Sequence, residues 1–243
     1  SWIERKRLSV SFVWPLVTLV WVCVQGAFGA LTVTMKLFPA IVTLHLLGGL
    51  GLLALLRAQA VAYQLARPGD RGPVELPGRL RAALVAVTAL LWLQIALGGW
   101  TAANYAALAC IQLPVCEAGW TSQLNFDEAF SLHLGYDNYE YGVMSQSARA
   151  TVHVMHRIGA VITLLVVAAY AIALWRSSSG LIKTLSSVVL ILLLLQFSLG
   201  LANVVLHLPL ANAVAHNFVA ANLVMCLVVI GYQLHRNKES AYA

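Results

Sequence analysis

Four of the seven histidines, His45, His153, His156 and His216, stand inside long apolar stretches. A titratable ring in hydrocarbon is costly, so such a residue is a functional candidate by default. Imidazole ligates transition metals and moves protons near neutral pH. His45 lies six residues past Pro39, His216 seven past Pro209 and His156 seven past Arg149. At 1.5 Å per residue, each sits about 9–10 Å in from the same side. Two histidines from different helices at one depth can hold a planar iron macrocycle from both faces, as axial haem ligands do. His156 and His216 are the pair in this reading, and His45 is half of a second pair. The competing readings are satisfied polar residues and a zinc site. Zinc takes three or four ligands from His, Cys or carboxylate, and no intramembrane carboxylate or nearby cysteine completes such a set.

His153 precedes His156 by three residues, on a neighbouring part of the same helix face. It reads as an interfacial polar residue, with a hydrogen bond to a ligand or propionate as the alternative. Arg157 either snorkels or meets an outward-facing haem propionate. Cys110 and Cys116, with Pro114 between them, fall in a loop expected outside the membrane, where disulfides form. A short-loop disulfide is our reading, and a redox pair exchanging with a thiol partner is the alternative. Cys23 and Cys226 read as packing residues.

The elements that position these groups are membrane helices. Of 243 residues, 60% are hydrophobic and 10% charged, against about 25% charged in soluble domains. Mean hydropathy is +0.82. This composition excludes a soluble enzyme, a disordered tail and a nucleic-acid reader. A bilayer core of about 30 Å needs about 20 apolar residues per helix. Six stretches qualify: Val10–Leu31, Ala40–Leu65, Ala82–Asn104, Ala150–Trp175, Ile182–Leu206 and Leu210–Leu234. Each is too long for a barrel strand, and strand-like alternation is absent. The expected fold is therefore an all-α polytopic bundle.

Charge sets the expected orientation. With the N-terminus inside, 12 of the 15 Lys and Arg fall on the inner side, among them Arg5, Lys6, Arg7, Arg57, Arg67, Arg71, Arg79 and Arg81. The outer loop between the third and fourth stretches holds five of the nine acids, Glu117, Asp127, Glu128, Asp137 and Glu140. Both termini are thus expected in the cytoplasm, and the net charge of +6 follows from topology without nucleic acid. That loop also carries Trp120, Phe126, Phe130, Tyr136, Tyr139 and Tyr141. It reads as a lid over the bundle, or else as an interfacial aromatic belt.

Gln25, Gly29 and His45 recur as Gln196, Gly200 and His216, all at an offset of 171. Pro39 and Pro209 match with a displacement of one residue. Gln94 and Gly98 repeat the Gln-x-x-x-Gly spacing alone, for which close helix approach at a small residue is a sufficient account. The repeat implies that a hairpin like the third and fourth stretches precedes the first. Subtracting 171 from His156 lands before Ser1, so two helices and an acidic outer loop are expected to be missing. The expected organisation is residues 1–66 as the second hairpin of an incomplete half, 67–81 as a cytoplasmic linker, 82–234 as a four-helix haem-binding half and 235–243 as a tail.

Gly98-Gly99-Trp100-Thr101, then Ala109-Cys110 with Pro114 and Cys116, then His153 through Ala160, resemble the haem A synthase family. Gln25 through Val33 with Leu44-His45 is similar to that family's third and fourth helices, and Gln196 through His216 to its seventh and eighth. The resemblance implies eight helices in two pseudo-symmetric halves, each with a histidine pair. It implies haem b between His156 and His216, and His45 as a ligand of the half that takes haem O and oxidises its C8 methyl to the formyl of haem A. The family's cysteine pair falls on Cys110 and Cys116. Departures are the absent first helices and the run Cys110-Ile111-Gln112-Leu113-Pro114, where the family more usually has Cys-Pro-Asp-Trp-Pro.

The function expected from this is an oxidoreductase of haem A formation in the cell inner membrane. Its expected partners are haem O, membrane lipid, a membrane electron donor, haem O synthase or other oxidase assembly proteins, and a second copy of the chain. The alternatives are an electron-transferring b-type cytochrome and a transporter or scaffold with structural histidines.

Overall fold

The computed structural model of the chain describes residues 13–65, 78–114, 116–117 and 119–239, with 65 and 235–239 described by backbone alone. Six long helices carry it: α1 (Val13–Thr34), α2 (Pro39–Leu65), α3 (Gly78–Ala103), α5 (Gln146–Ser177), α6 (Gly180–Val205) and α7 (Leu210–Glu239). A short α4 (Phe126–Ala129) lies in the long loop. All six long helices are apolar and long enough to cross a membrane, so the chain is a polytopic all-α membrane protein.

The expected bounds shift in instructive ways. The fourth span starts at Gln146, four residues before the expected Ala150, because Ser145 caps it by accepting from the Ala148 N–H. Helix α3 starts at Gly78, so Arg79 and Arg81 belong to its first turn rather than to a linker. The last helix runs on to Glu239, five residues past the expected Leu234. Val10 to Phe12, most of the linker with Arg67 and Arg71, Arg5 to Arg7 and residues 240–243 lie outside the described residues. Cys226 packs against the bundle core. Cys23, expected as a packing residue, is exposed on α1.

Helices α3, α5, α6 and α7 form a closed ring, each packed on the next and α7 packed back on α3. In that order α5 and α7 are diagonal, as are α3 and α6. The α1–α2 hairpin joins from outside, through contacts of α2 with α3 and α7. The ring's core is concentrated away from the long loop, in Leu80, Leu91, Leu174, Ile182, Leu223 and Ile230 among others. Nearer the loop, packing changes character. No residue is buried from 92 to 98 on α3, 155 to 162 on α5, 194 to 203 on α6 or 210 to 218 on α7.

Each of the three helices α1, α3 and α6 ends in a left-handed turn. Lys36 and Leu37 have φ of 46° and 66°, and His207 and Leu208 have 59° and 63°. The N–H groups of Leu37 and Leu208 reach back to the carbonyls of Thr32 and Asn203 at 2.8 and 2.7 Å. Tyr105 takes φ 55°, and the Ala106 N–H returns to the Thr101 carbonyl at 2.9 Å. These are Schellman-type stops that satisfy otherwise orphan carbonyls. Pro39 then opens α2 and Pro209 precedes α7. The sequence repeat therefore extends into backbone geometry.

The long loop is a folded cap. Ala106, Ala129, Met144, Ala148 and Val152 form a second small core beneath Trp100, whose indole N–H donates to the Ala129 carbonyl at 2.8 Å. The loop crosses to the first hairpin, where the Tyr139 N–H donates to the Lys36 carbonyl at 3.1 Å and the Phe38 and Tyr139 rings lie 5.0 Å apart. Phe126, Phe130, Tyr136 and Tyr141 remain exposed, as an interfacial belt would be. The lid and belt readings each describe part of the loop.

Glu128 ties this cap to α5. Its carboxylate accepts from the Ser145 N–H and hydroxyl, both at 2.6 Å, and from the Asn125 amide at 2.8 Å. The bonds from Ser145, led by its backbone N–H, hold the Glu128 carboxyl below its ordinary value of 4.5. The folded form is thus the stronger acid. Its stabilising contribution is present above the ordinary value and is lost as pH falls through the folded one. Acid-induced loosening of the loop, followed by proteolysis between pH 5 and 3, should flatten in Glu128→Gln. An unchanged acid transition would assign that transition to other groups.

Candidate haem site

Each transmembrane hairpin presents the same three residue types. Gln25 and Gly29 on α1 face His45 on α2, Gln94 and Gly98 on α3 face His156 on α5, and Gln196 and Gly200 on α6 face His216 on α7. Every one of these glutamines stands nine residues before the end of its helix, at Thr34, Ala103 and Val205. That places all three at about 14 Å from the loop end. The common depth is thus set by the glutamines, since α5 begins a turn further out than α2 or α7.

An imidazole lies against each glycine. A Cβ on Gly98 would meet His156 Cε1 at 3.0 Å, and one on Gly29 or Gly200 would meet Cε1 of His45 or His216 at 3.3 Å. The glutamines hold the rings. Gln94 Nε2 lies 3.0 Å from His156 Nδ1 and donates to the His156 carbonyl at 3.0 Å. Gln196 Nε2 lies 3.0 Å from His216 Nε2. No such bond ties Gln25 to His45; its carboxamide occupies the place that a Cβ on Gly48 would take. Gln94 is placed in the same way over Gly159, again three residues after the histidine. In the third hairpin that position is Val219, which is buried.

The structure brings His156 and His216 together. They stand on diagonal helices of one ring. His45 stands apart, on the hairpin outside the ring. Sequence reading missed the Gln94–His156 partnership, because 62 residues separate the two against 20 in the other hairpins. The available signal was the nine-residue distance from glutamine to helix end.

Around His156 the loop is anchored to the bundle. Cys110 and Cys116 are joined by a disulfide. Arg157 donates to the Gln112 carbonyl at 2.6 Å and to the Cys110 carbonyl, and its Nε approaches His153 Nε2 at 3.2 Å. The Cys110 N–H approaches His153 Nδ1 at 3.3 Å. A neutral imidazole accepts at one nitrogen only, so these two approaches to His153 are alternatives. His153 is 4% exposed, which corrects the interfacial reading: it is packed beneath the disulfide loop. Arg157 holds loop carbonyls rather than extending past them.

Closing so short a loop constrains the unfolded chain by about 2 kcal/mol on the entropy model. Cys110→Ser with Cys116→Ser should therefore lower thermal stability by about that amount and open the segment 110–116 to proteolysis. Unchanged cleavage of that segment would mean that Arg157 and His153 suffice to hold it.

Two surface recesses sit at this end of the molecule. One of about 340 Å³ lies between the Lys36 turn and Tyr139, and one of about 210 Å³ lies beside Cys116, Glu117 and Trp120. The three ligand candidates line neither. Cys110, Cys116 and Glu117 also cluster closely enough to suggest a metal site, but the sulfurs are already bonded to each other.

The residues fit a bis-histidine haem on three grounds. The two histidines stand on diagonal helices of one ring, each with its imidazole against the helix beside it. With Gln196 holding one nitrogen of His216, the other, Nδ1, is buried without a partner. The band at this level holds only partly buried and exposed side chains, whereas protein interiors are ordinarily close-packed, so a large apolar group between the helices would complete the packing.

The chain is 44% identical over 229 residues to a protein of Shewanella oneidensis named heme A synthase, covering 93% of this chain and 68% of that one. Proteins of the same name from Methylobacterium nodulans and Methylobacterium radiotolerans are 31% and 29% identical, with 56% of each covered. The chain therefore spans about two thirds of the first relative and about half of the other two. The family model for COX15-CtaA, described as cytochrome oxidase assembly protein, matches residues 1–228. The chain belongs to the COX15-CtaA family of cytochrome oxidase assembly proteins.

Proposed function

We propose that the chain serves haem A synthesis, as an oxidoreductase converting the C8 methyl of haem O to the formyl of haem A. Its ring of four helices would hold haem b between His156 and His216. The observation that carries this reading is the placement of those two histidines on diagonal helices, each seated on a glycine and held by a glutamine. When bound there, haem supplies one-electron redox chemistry. The protein's part is to fix both rings, to exclude water with the folded loop and to keep the site in an apolar band. A haem held there by His156 and His216 would serve as an electron relay. His45, on the separate hairpin, is assigned to the substrate haem O. Arg157, adjacent to His156, is assigned to a haem propionate in addition to its hold on the loop.

The charge distribution supports a cell inner membrane setting with both termini cytoplasmic and the disulfide loop outside. A membrane electron donor and a supplier of haem O are the partners this chemistry requires. The test is an absorption spectrum of the detergent-purified protein, oxidised and dithionite-reduced, with the haem extracted and identified. Sharp reduced b-type bands together with haem O or haem A in the extract are the expected result. Haem b alone would favour an electron-transfer cytochrome, and a protein that stays colourless after haem addition would overturn the reading.

A further inference from the structure

We infer that Gln94 and Gln196 are positioning residues, whose carboxamides take the N–H of the imidazoles they touch and so set the orientation and donor strength of His156 and His216. The inference rests on the proposed haem reading and adds to it the groups that tune the ligands.

Three observations support it. Both glutamines stand at the same depth and each lies 3.0 Å from a ring nitrogen. Gln94 Oε1 and Gln196 Oε1 are both buried with no donor, as is the repeat-related Gln25 Oε1. A buried unsatisfied acceptor costs about 1–3 kcal/mol. Finally, a half-turn of a carboxamide exchanges its nitrogen and oxygen about a broad, roughly two-fold torsion. At Gln196 the amide nitrogen has His216 as its hydrogen-bond partner. A half-turn there gives up no other bond and pairs the orphan oxygen with a ring N–H.

The chemistry follows from that pairing. An imidazole that donates one N–H to an acceptor is fixed in tautomer and angle, and its other nitrogen becomes a stronger ligand. A stronger donor favours the ferric over the ferrous state. The two sites are not equal. Gln94 Nε2 also donates to the His156 carbonyl at 3.0 Å, so turning its oxygen to the ring gives up that bond. The influence of Gln196 on its histidine therefore exceeds that of Gln94. In the first hairpin, Gln25 Oε1 and His45 Nδ1 are both buried and unpartnered, which extends the same role to Gln25 once a ligand fixes the ring.

The test is a spectroelectrochemical titration of the haem-loaded protein, with low-spin ferric paramagnetic resonance as a second readout of ring orientation. Gln196→Leu removes the acceptor and should raise the midpoint, by about a tenfold change in the ferric-to-ferrous ratio or 59 mV for one electron. Gln196→Glu supplies a stronger acceptor and should lower it. Gln94→Leu should shift it in the same direction as Gln196→Leu, by less. Opposite shifts from Leu and Glu are what simple loosening of the fold would not produce. Retained haem with unshifted midpoints, or shifts of one sign for Leu and Glu, would overturn the inference. Should Gln196→Leu fail to accumulate, Gln196→Glu decides alone, and a raised or unchanged midpoint counts against the inference. His216→Ala is measured alongside. Loss of haem there upholds the ligand reading whatever the glutamine variants do, and retention overturns both.

Discussion

Replacing His216 with alanine will remove the b-type haem signal from the purified protein, and replacing His156 will do the same. On the proposed reading both rings serve one site, α5 and α7 being diagonal in a four-helix ring. Altering only an outer partner of a metal ligand typically costs about 10–100-fold in affinity, so deleting an axial ligand should cost more. Reduced-minus-oxidised spectra at equal protein concentration check this. Two controls bound the interpretation. His45→Ala should leave the bundle signal in place, since His45 stands on the hairpin outside the ring. His153→Ala should leave it too, since that ring is packed against the disulfide loop. Loss of signal in His153→Ala with retention in His156→Ala would reassign the ligand on α5.

Gly98→Val should also cost the protein its haem, by a steric route. Glycine in a helix interior ordinarily destabilises it by about 0.5–1 kcal/mol relative to alanine, so substitution at an uncrowded glycine should help. Gly26 is such a position, with nothing within 4 Å of an added Cβ. At Gly98 the same Cβ meets His156 Cε1 at 3.0 Å, and that ring is already held by Gln94. The branches of valine reach further still. Overpacking of this kind costs about 1–3 kcal/mol, enough to outweigh the helix gain and to turn the imidazole. The expected order of haem retention is Gly26→Ala and Gly29→Ala equal to the parent, since Gly29 crowds only His45, then Gly200→Ala, then Gly98→Ala, with Gly98→Val lowest. Full haem content in Gly98→Val would show that His156 does not need its seat.

The hydrophobic stretches, the duplicated Gln-Gly-His pattern and the cysteine pair were all legible in the sequence. Hydropathy is summed over consecutive residues, and lipid demands an apolar run of fixed length, so six spans could be read directly. The repeat was legible where a tight turn keeps glutamine and histidine 20 residues apart, and the turns themselves repeat down to the left-handed residues Lys36, Leu37, His207 and Leu208. Element ends were less legible. Ser145 and Gly78 extend their helices by capping and by polar first turns that no apolar count registers.

What only the tertiary structure decided is which groups meet. Gln94 and His156 are 62 residues apart, with a folded loop between them, and no local signal joins them. His153 looked interfacial by sequence position and became buried because the Cys110 loop folds over it. The diagonal placement of α5 and α7, which sets His156 opposite His216, depends on how four helices share their apolar faces. Membrane helices of similar hydropathy can be ordered in several ways, and the choice among orders is made by packing of small residues against neighbouring side chains. Sequence therefore marked the intramembrane histidines and their depth, and packing chose their partners.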